Sequence, residues 1–426
     1  MAKSILEFIV DYYRHLRMIS RNSALFLLGS FFVNLLFAVY ILIFNLYLRE
    51  LGFTESVIGR TLSSVAIGSM LASIPCALLI ARYAIKRMLL ITTVLLGVAF
   101  FFMVTVTTPW LVMAAGFFMG SFISFSRVAS APLFMRNTTS KERTYVFSLN
   151  FANWMFAGII GSYIGGYAHE WYTLNYQAGI ESYRFVLLGG MLSVLLALIP
   201  FAMIRAKPPS KNERKLVLNR QLLKERGGLL FRLSFPFFLV GAGAGLIIPF
   251  LNLYFRDVFE MSTEQIGVYY AAVQATMIIG TMAAPVLVKR YGMVRTLVIT
   301  ELASIPFMLV MAFSGNSALV VVAFLCRGAL MNMGQPIGTN FAMEMVTEDL
   351  QALANSINAI AWTSSWAVST QLGGWVIEQY GYTPSFLITI GFYMSSAFLY
   401  YYYFSKSETK KGRTYRINTV GRTDFG

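Results

Sequence analysis

Three ionisable side chains lie inside long apolar runs: Arg127, Arg327 and Glu301. Placing such a group in hydrocarbon is costly, so each implies a partner, a hydrated cavity or both. A guanidinium keeps its charge and presents five donors in a flat fork. With no fixed acid partner, each arginine suits an anionic group held by paired hydrogen bonds. Bracing of helix ends or backbone carbonyls is the competing role: it is weighed evenly for Arg327, and gating or bracing is favoured for Arg127. Around Arg327, helical spacing gathers Met331, Gly334 and Gln335, with Asn332 on the flank. Asn34 and Asn45 are eleven apart and share a helix face. Trp154 and Trp362, with Trp366, Tyr269, Tyr270 and Met331, could supply an aromatic wall, although most large apolar side chains in such a chain belong to its packing.

The elements that must position these residues follow from composition. The chain has 426 residues, 57% apolar and 12% charged, with a mean hydropathy of +0.64. Soluble domains carry roughly 25% charged residues, so this composition implies an integral membrane protein and excludes disordered, coiled-coil and collagen-like chains. A span takes about 20 apolar residues. Twelve are expected, near 23–48, 57–80, 88–107, 110–134, 144–167, 184–204, 233–255, 265–288, 295–314, 317–343, 351–376 and 384–404. The fold class is all-α, with two six-helix halves at 23–204 and 233–404. Residues 1–22 read as an amphipathic segment on the membrane surface, 205–232 as a basic linker able to meet lipid headgroups, and 405–426 as a basic tail.

The net charge of +15 reflects topology, with no nucleic acid implied. All but six of the 34 Lys and Arg fall on one side of this arrangement. Arg49, Arg60, Arg184 and Arg256 lie opposite, and Arg127 and Arg327 lie within spans. Cytoplasmic enrichment of basic residues then puts both termini inside a cell membrane. His15 and His169 are the only histidines and both fall outside the spans. With no HExxH, nucleotide loop or cysteine cluster, an enzyme, a cofactor and a metal are not expected. Cys76 and Cys326 sit in apolar runs and suggest no disulfide framework.

The halves repeat at an offset of about 208 residues. Arg82-Tyr83 matches Arg290-Tyr291, Arg87 matches Arg295, and Ser148 and Asn150 match Ser356 and Asn358. Trp154 matches Trp362, Gly165-Gly166 matches Gly373-Gly374, and Gln335 occupies the counterpart of Arg127. At the end of each first span, Asn45-Leu46-Tyr47-x-Arg49-Glu50 matches Asn252-Leu253-Tyr254-x-Arg256-Asp257, one residue out of register. Two like halves with a site between them suit a carrier that exposes the site to each side in turn.

On these residues the chain resembles the major facilitator superfamily of secondary transporters over nearly all of 23–404. The family's signature after the second span keeps its basic positions in Ala81-Arg82-Tyr83-Ala84-Ile85-Lys86-Arg87 but lacks its aspartate and glycine. The equivalent loop, Lys289-Arg290-Tyr291-Gly292-Met293-Val294-Arg295, keeps a glycine and again lacks the acid. Gly158, Gly161, Gly165 and Gly166 resemble part of the drug antiporters' glycine motif without its proline; close packing is the preferred role.

The resemblance implies that spans one, four, seven and ten line a central cavity. Arg327, Gln335, Asn332, Asn34, Asn45, Asn252 and Trp362 are then the expected substrate contacts, and Arg127, Arg82, Arg87, Arg290 and Arg295 the expected gating or bracing residues. Glu301, on peripheral span nine, is expected to face a basic residue near Lys289 or Arg290. No carboxylate falls in the cavity spans away from their ends, so a small organic anion moved by diffusion or exchange is expected, with coupling to an ion through Glu301 or Glu344 left open. Polyspecific drug efflux and lipid translocation on the same fold remain the alternatives, and one chain suffices for the path.

Overall fold

The computed structural model describes residues 19–176, 179–205 and 220–420. The amphipathic segment therefore lies, up to residue 18, outside the described residues, as does the part of the linker at 206–219. Among the described residues the chain is helical, without strands. The long helices are α1 (Arg21–Glu50), α2 (Glu55–Arg82), α3 (Ile85–Thr105), α4 (Pro109–Asn137), α5 (Ser140–Asn175), α6 (Ile180–Met203), α7 (Arg220–Ile247), α8 (Thr263–Tyr291), α9 (Met293–Phe313), α10 (Ser317–Glu344), α11 (Glu348–Tyr380) and α12 (Tyr382–Val420). A 3₁₀ turn at Ile248–Phe250 and a short helix, Leu251–Phe259, prolong α7. Pro249 accounts for that break, because its ring clashes with the carbonyl four residues back and it brings no N–H.

Two of the expected boundaries move. α7 starts at Arg220, inside the stretch read as linker, and α12 runs on to Val420, through most of the stretch read as tail. The starts of several helices are fixed by local chemistry. The Ser20 hydroxyl accepts from the Ser23 N–H and the Asn316 side chain from the Leu319 N–H. Thr139 and Glu142 form a reciprocal capping box at α5, and Pro109 opens α4 where its missing N–H costs nothing. Gly292, at φ 87°, turns the chain between α8 and α9.

Nine helices among the described residues are long and apolar enough to cross a membrane, counting α7 with its continuation. α5, α11 and α12 fall short. Two of these are the fifth helix of their half, where Asn150 and Asn153, or Asn358 and Ser365, dilute the apolar run; tyrosines do the same in α12.

The chain packs as two compact units, Met1–Leu218 with Phe250–Gln274, and Asn219–Pro249 with Ala275–Gly426. In the first, α1 packs on α5 and α6, α2 on α4, and α3 on α4 and α6. In the second, α7 packs on α11 and α12, and α9 on α10 and α12. The Thr276 hydroxyl of α8 donates to the Leu325 carbonyl of α10 at 3.2 Å. Each partnership thus recurs six helices on, so the sequence repeat is also a packing repeat.

Lipid tails are as apolar as leucine, so helix association here depends on close fit. Gly68 of α2 and Gly120 of α4 press against the backbone of the facing helix, and a Cβ at either would overlap a carbonyl. Phe26, Phe134 and Phe201 interlock in the first unit, with Phe26 edge-on to Phe134 at 5.3 Å. Leu233, Val294, Leu297, Phe341, Tyr400 and Phe404 belong to the buried cluster of the second.

Candidate functional site

A cavity of about 340 Å³ opens between α1, α4 and α5 of the first unit. α1 contributes Phe26, Ser30 and Asn34, α4 contributes Ser126, Arg127 and Ser130, and α5 contributes Phe147, Asn150, Phe151 and Trp154. The spacing is helical: Ser30/Asn34, Ser126/Ser130 and Asn150/Trp154 are four apart, so each pair shares a face. The Ser126 and Ser130 hydroxyls bond back to the carbonyls of Ile123 and Arg127 at 3.1 and 2.7 Å. Those hydroxyls keep lone pairs for a guest but spend their protons on the helix. Ser30 accepts from Asn153 Nδ2 at 3.1 Å.

Arg127 is the charge of this cavity. Its guanidinium lies 4.8 Å from the centroid of the Phe37 ring, and its side chain is open to the cavity space. Among the described residues no carboxylate pairs with it or lines the cavity. The result is one fixed cation amid amides, hydroxyls and four aromatic side chains. Such a wall can hold a planar or apolar body while the guanidinium takes an anionic group.

The other expected binding residues lie elsewhere. Arg327 is 6% exposed, and its Nη2 donates to the Tyr393 hydroxyl of α12 at 2.7 Å. The Asn332 amide donates to the Gly328 carbonyl of its own helix at 3.0 Å. Gln335 is exposed on the same helix. Trp362 stacks on Trp366 at 5.9 Å between centroids. Asn358, the repeat counterpart of cavity residue Asn150, accepts from the Ser234 hydroxyl at 2.6 Å and is buried. The repeat is therefore unequal in its polar chemistry: Asn150 opens on a cavity in the first unit, whereas its counterpart Asn358 is buried in a hydrogen bond in the second.

Asn45 and Asn252 meet each other. Asn45 Nδ2 donates to Asn252 Oδ1 at 3.1 Å, and Asn252 Nδ2 donates to the Leu42 carbonyl at 2.9 Å. One helical turn on, Arg49 bridges Glu55 at 2.7 Å and Asp257 at 2.8 Å. The repeated Asn-Leu-Tyr-x-Arg-acid segments thus bond to one another in the first unit. Beside them Arg256 donates to Thr263 at 2.7 Å and to the Tyr183 hydroxyl at 3.1 Å. Buried His169, past the apolar part of α5, shares a 3.0 Å hydrogen bond with Ser182. Burial, with the positive Arg256 nearby, lowers its pKa to about 4.

Glu301 departs from the expected pairing with Lys289 or Arg290. Those residues end α8, before the turn at Gly292, whereas Glu301 lies eight positions into α9, a rise of roughly 12 Å from its start at Met293. Its carboxyl is instead buried against α12, 5% exposed.

The same architecture recurs in known proteins. A family model described as Major Facilitator Superfamily matches residues 26–370 and again 237–420. The chain belongs to the Major Facilitator Superfamily. It is therefore a multi-pass membrane transporter and not an enzyme. Among solved structures, the nucleoside transporter NupG in its D323A form superposes with a TM-score of 0.77 at 15% identity, covering 90% of this chain and 100% of that one. A D-xylose-proton symporter gives 0.72 at 15% identity, covering 89% and 97%. A bacterial homologue of the iron transporter ferroportin gives 0.68 at 12%, covering 89% and 98%. No curated protein matches the sequence.

Within this superfamily fold, the signature-loop arginines Arg82, Arg87, Arg290 and Arg295 are exposed, and Arg290 lies 5.2 Å from the Tyr291 ring centroid. The α5 glycines pack. A Cβ on Gly161 would lie 2.6 Å from that of Ala38 on α1, and one on Gly166 would lie 2.8 Å from the Thr263 carbonyl. Sequence reasoning missed Phe26, Ser30, Ser126, Ser130, Phe147, Asn150 and Phe151 as cavity residues. The i, i+4 polar pairs on α1, α4 and α5 were the signal that could have found them.

Proposed function

We propose that this transporter moves a small organic solute bearing an anionic group, with Arg127 holding the charge and Asn34, Asn150 and Trp154 fixing the body. The observation that carries the reading is a guanidinium without an acid partner in an aromatic-walled cavity. On this reading Asn34 keeps its expected role, and Arg127 moves from bracing to binding. The chain crosses the cell membrane twelve times with both termini in the cytoplasm, works by alternating access and needs no second copy.

The test is a thermal-stability screen of purified protein in detergent with matched anionic, neutral and cationic compounds. A ligand of the folded state stabilises by RT ln(1 + [L]/Kd), about 2.7 kcal/mol at a hundredfold excess. Anions alone should raise the midpoint, and Arg127→Gln should remove that rise while leaving the ligand-free midpoint near wild type. A rise with hydrophobic cations or lipids, and none with anions, would replace this reading with polyspecific efflux or lipid movement.

A further inference from the structure

Beyond the last wall residue of the Arg127 cavity on α5, an amide waits without a partner. That wall residue is Trp154, and one turn on the same face carries Gly158. A Cβ there would lie 2.6 Å from Nε2 of Gln274 on α8, so the glycine is what makes room for the amide. Gln274 ends the segment Phe250–Gln274 that packs in the first unit. Its Oε1 is buried and, among the described residues, has no hydrogen-bond partner.

Helix register puts this amide level with the charge of the cavity. α1 and α5 advance together: Asn153 meets Ser30, Phe156 lies 6.3 Å from Phe31 between ring centroids, and Gly161 meets Ala38. Three residues back on each helix, Gly158 is level with Leu35, next to Asn34. Phe37, whose ring faces the Arg127 guanidinium, is two residues on, a rise of about 3 Å. α8 runs against α5 and approaches it most closely further along, where a Cβ on Gly267 would lie 2.6 Å from the Ser162 carbonyl oxygen. The backbones are pinned there, and Gln274, about two turns on along α8, is held against Gly158.

A buried amide oxygen without a partner forgoes a bond that it makes in water, and such atoms are few in folded proteins. A donor brought by the solute supplies that bond. We propose that Gln274 belongs to the solute site as a hydrogen-bond acceptor, so that the solute carries a hydroxyl or amino donor as well as its anionic group. This role rests on the Arg127 cavity being the solute site. Arg127 takes the anionic group, the aromatic wall takes the body, and Gln274 takes the donor proton. Gly158 is part of the same arrangement, because a side chain there would displace the amide. A site built to bond a hydroxyl discriminates against the analogue lacking it, since its own polar atom is then left bare.

The experiment is titration calorimetry on the full chain in detergent, with phenylacetate, para-hydroxyphenylacetate and the uncharged methyl esters of both. Within each pair only the hydroxyl differs; between the pairs the charge is removed. Wild type should bind para-hydroxyphenylacetate about 3- to 10-fold more tightly than phenylacetate. The para-methoxy analogue, which cannot donate, should bind no more tightly than phenylacetate. Gln274→Met keeps the length of the side chain and loses the amide. It should erase the hydroxyl preference, leave phenylacetate affinity near wild type, and keep or raise the ligand-free thermal midpoint. Gly158→Ala should erase the preference with Gln274 itself intact. No hydroxyl preference in either pair would overturn the proposal. So would a preference that survives both substitutions, or a Gln274→Met protein that melts lower without ligand. A hydroxyl preference confined to the esters would remove the anion and leave Gln274 in the site. Tighter binding of the acids than of the esters, with no hydroxyl preference, would do the reverse, so the two readings fail separately.

Discussion

Arg127 and His169 carry the residue-scale arguments, and each yields a measurement. A guanidinium that grips an oxyanion with two parallel bonds loses geometry as well as charge on replacement. Once an anion that shifts the midpoint is known, Arg127→Lys should bind it more weakly than wild type and Arg127→Gln more weakly still. Hydrogen bonds to charged groups contribute roughly 1.5–3 kcal/mol, so Arg127→Gln should raise Kd on the order of 10- to 100-fold in titration calorimetry. Equal affinities in all three proteins would remove Arg127 from the site. His169 is a base whose pKa falls from 6.5 to about 4 on folding. The unfolded chain then binds the extra proton, so stability is full above about pH 6.5 and declines as pH drops toward 4. Between pH 7 and 5 the loss should be about 2 kcal/mol, read as a fall in thermal midpoint that His169→Asn largely abolishes. The ionisable residues within spans were legible because hydrocarbon makes them conspicuous. Which of them meets open space was not, since Arg127 and Arg327 look alike until Tyr393 is seen beside one of them.

Helix periodicity locates faces but not depths, which separates what was legible in α1 from what was not. Asn34 and Asn45 share a face as expected, yet eleven residues of helix put them roughly 16 Å apart along the axis. Asn34 lines the cavity, whereas Asn45 sits where its amide meets Asn252. Depth separates Glu301 from its expected partners too, since Lys289 and Arg290 end α8 while Glu301 lies about two turns into α9. For the asparagine pair, a double-mutant cycle with Asn45→Leu and Asn252→Leu isolates the contact from everything else each amide does. Interhelical polar bonds in membrane proteins average about 0.6 kcal/mol and reach about 1.7. A coupling near 1 kcal/mol in denaturant or thermal unfolding is expected, with the double variant less damaged than the two single losses summed. Strict additivity would mean that the amides are neighbours without a shared bond. The α5 glycines were read for packing, and the tight approach of Gly161 to Ala38 is what that reading requires of them.

The repeat was the most informative feature of the whole chain, because a duplicated sequence must bury its helices in the same order twice. The α1–α5–α6 and α7–α11–α12 partnerships follow from that constraint. The division into units did not follow, since Phe250–Gln274 packs with the first unit although sequence order assigns it to the second half. The break at Pro249 and the bonds between the two Asn-Leu-Tyr-x-Arg-acid segments explain the shift: the residues past the proline find their polar partners on α1. Orientation is a separate matter, resting on 28 basic residues, all but six of 34, and on the energetic bias that keeps them on the cytoplasmic side. Cysteine labelling tests it. Cys76 is buried and Cys326 partly so, which keeps the background low. Thr108, before α4, is exposed, and Gly315, before α10, has open space around it. On intact cells an impermeant maleimide should label Thr108→Cys and Gly315→Cys, and should reach Ser210→Cys in the basic linker only after permeabilisation. Labelling of Ser210→Cys alone on intact cells would invert the protein. If Thr108→Cys and Gly315→Cys were reached from opposite sides, the halves would be antiparallel, and a duplication with conserved direction could not describe this chain.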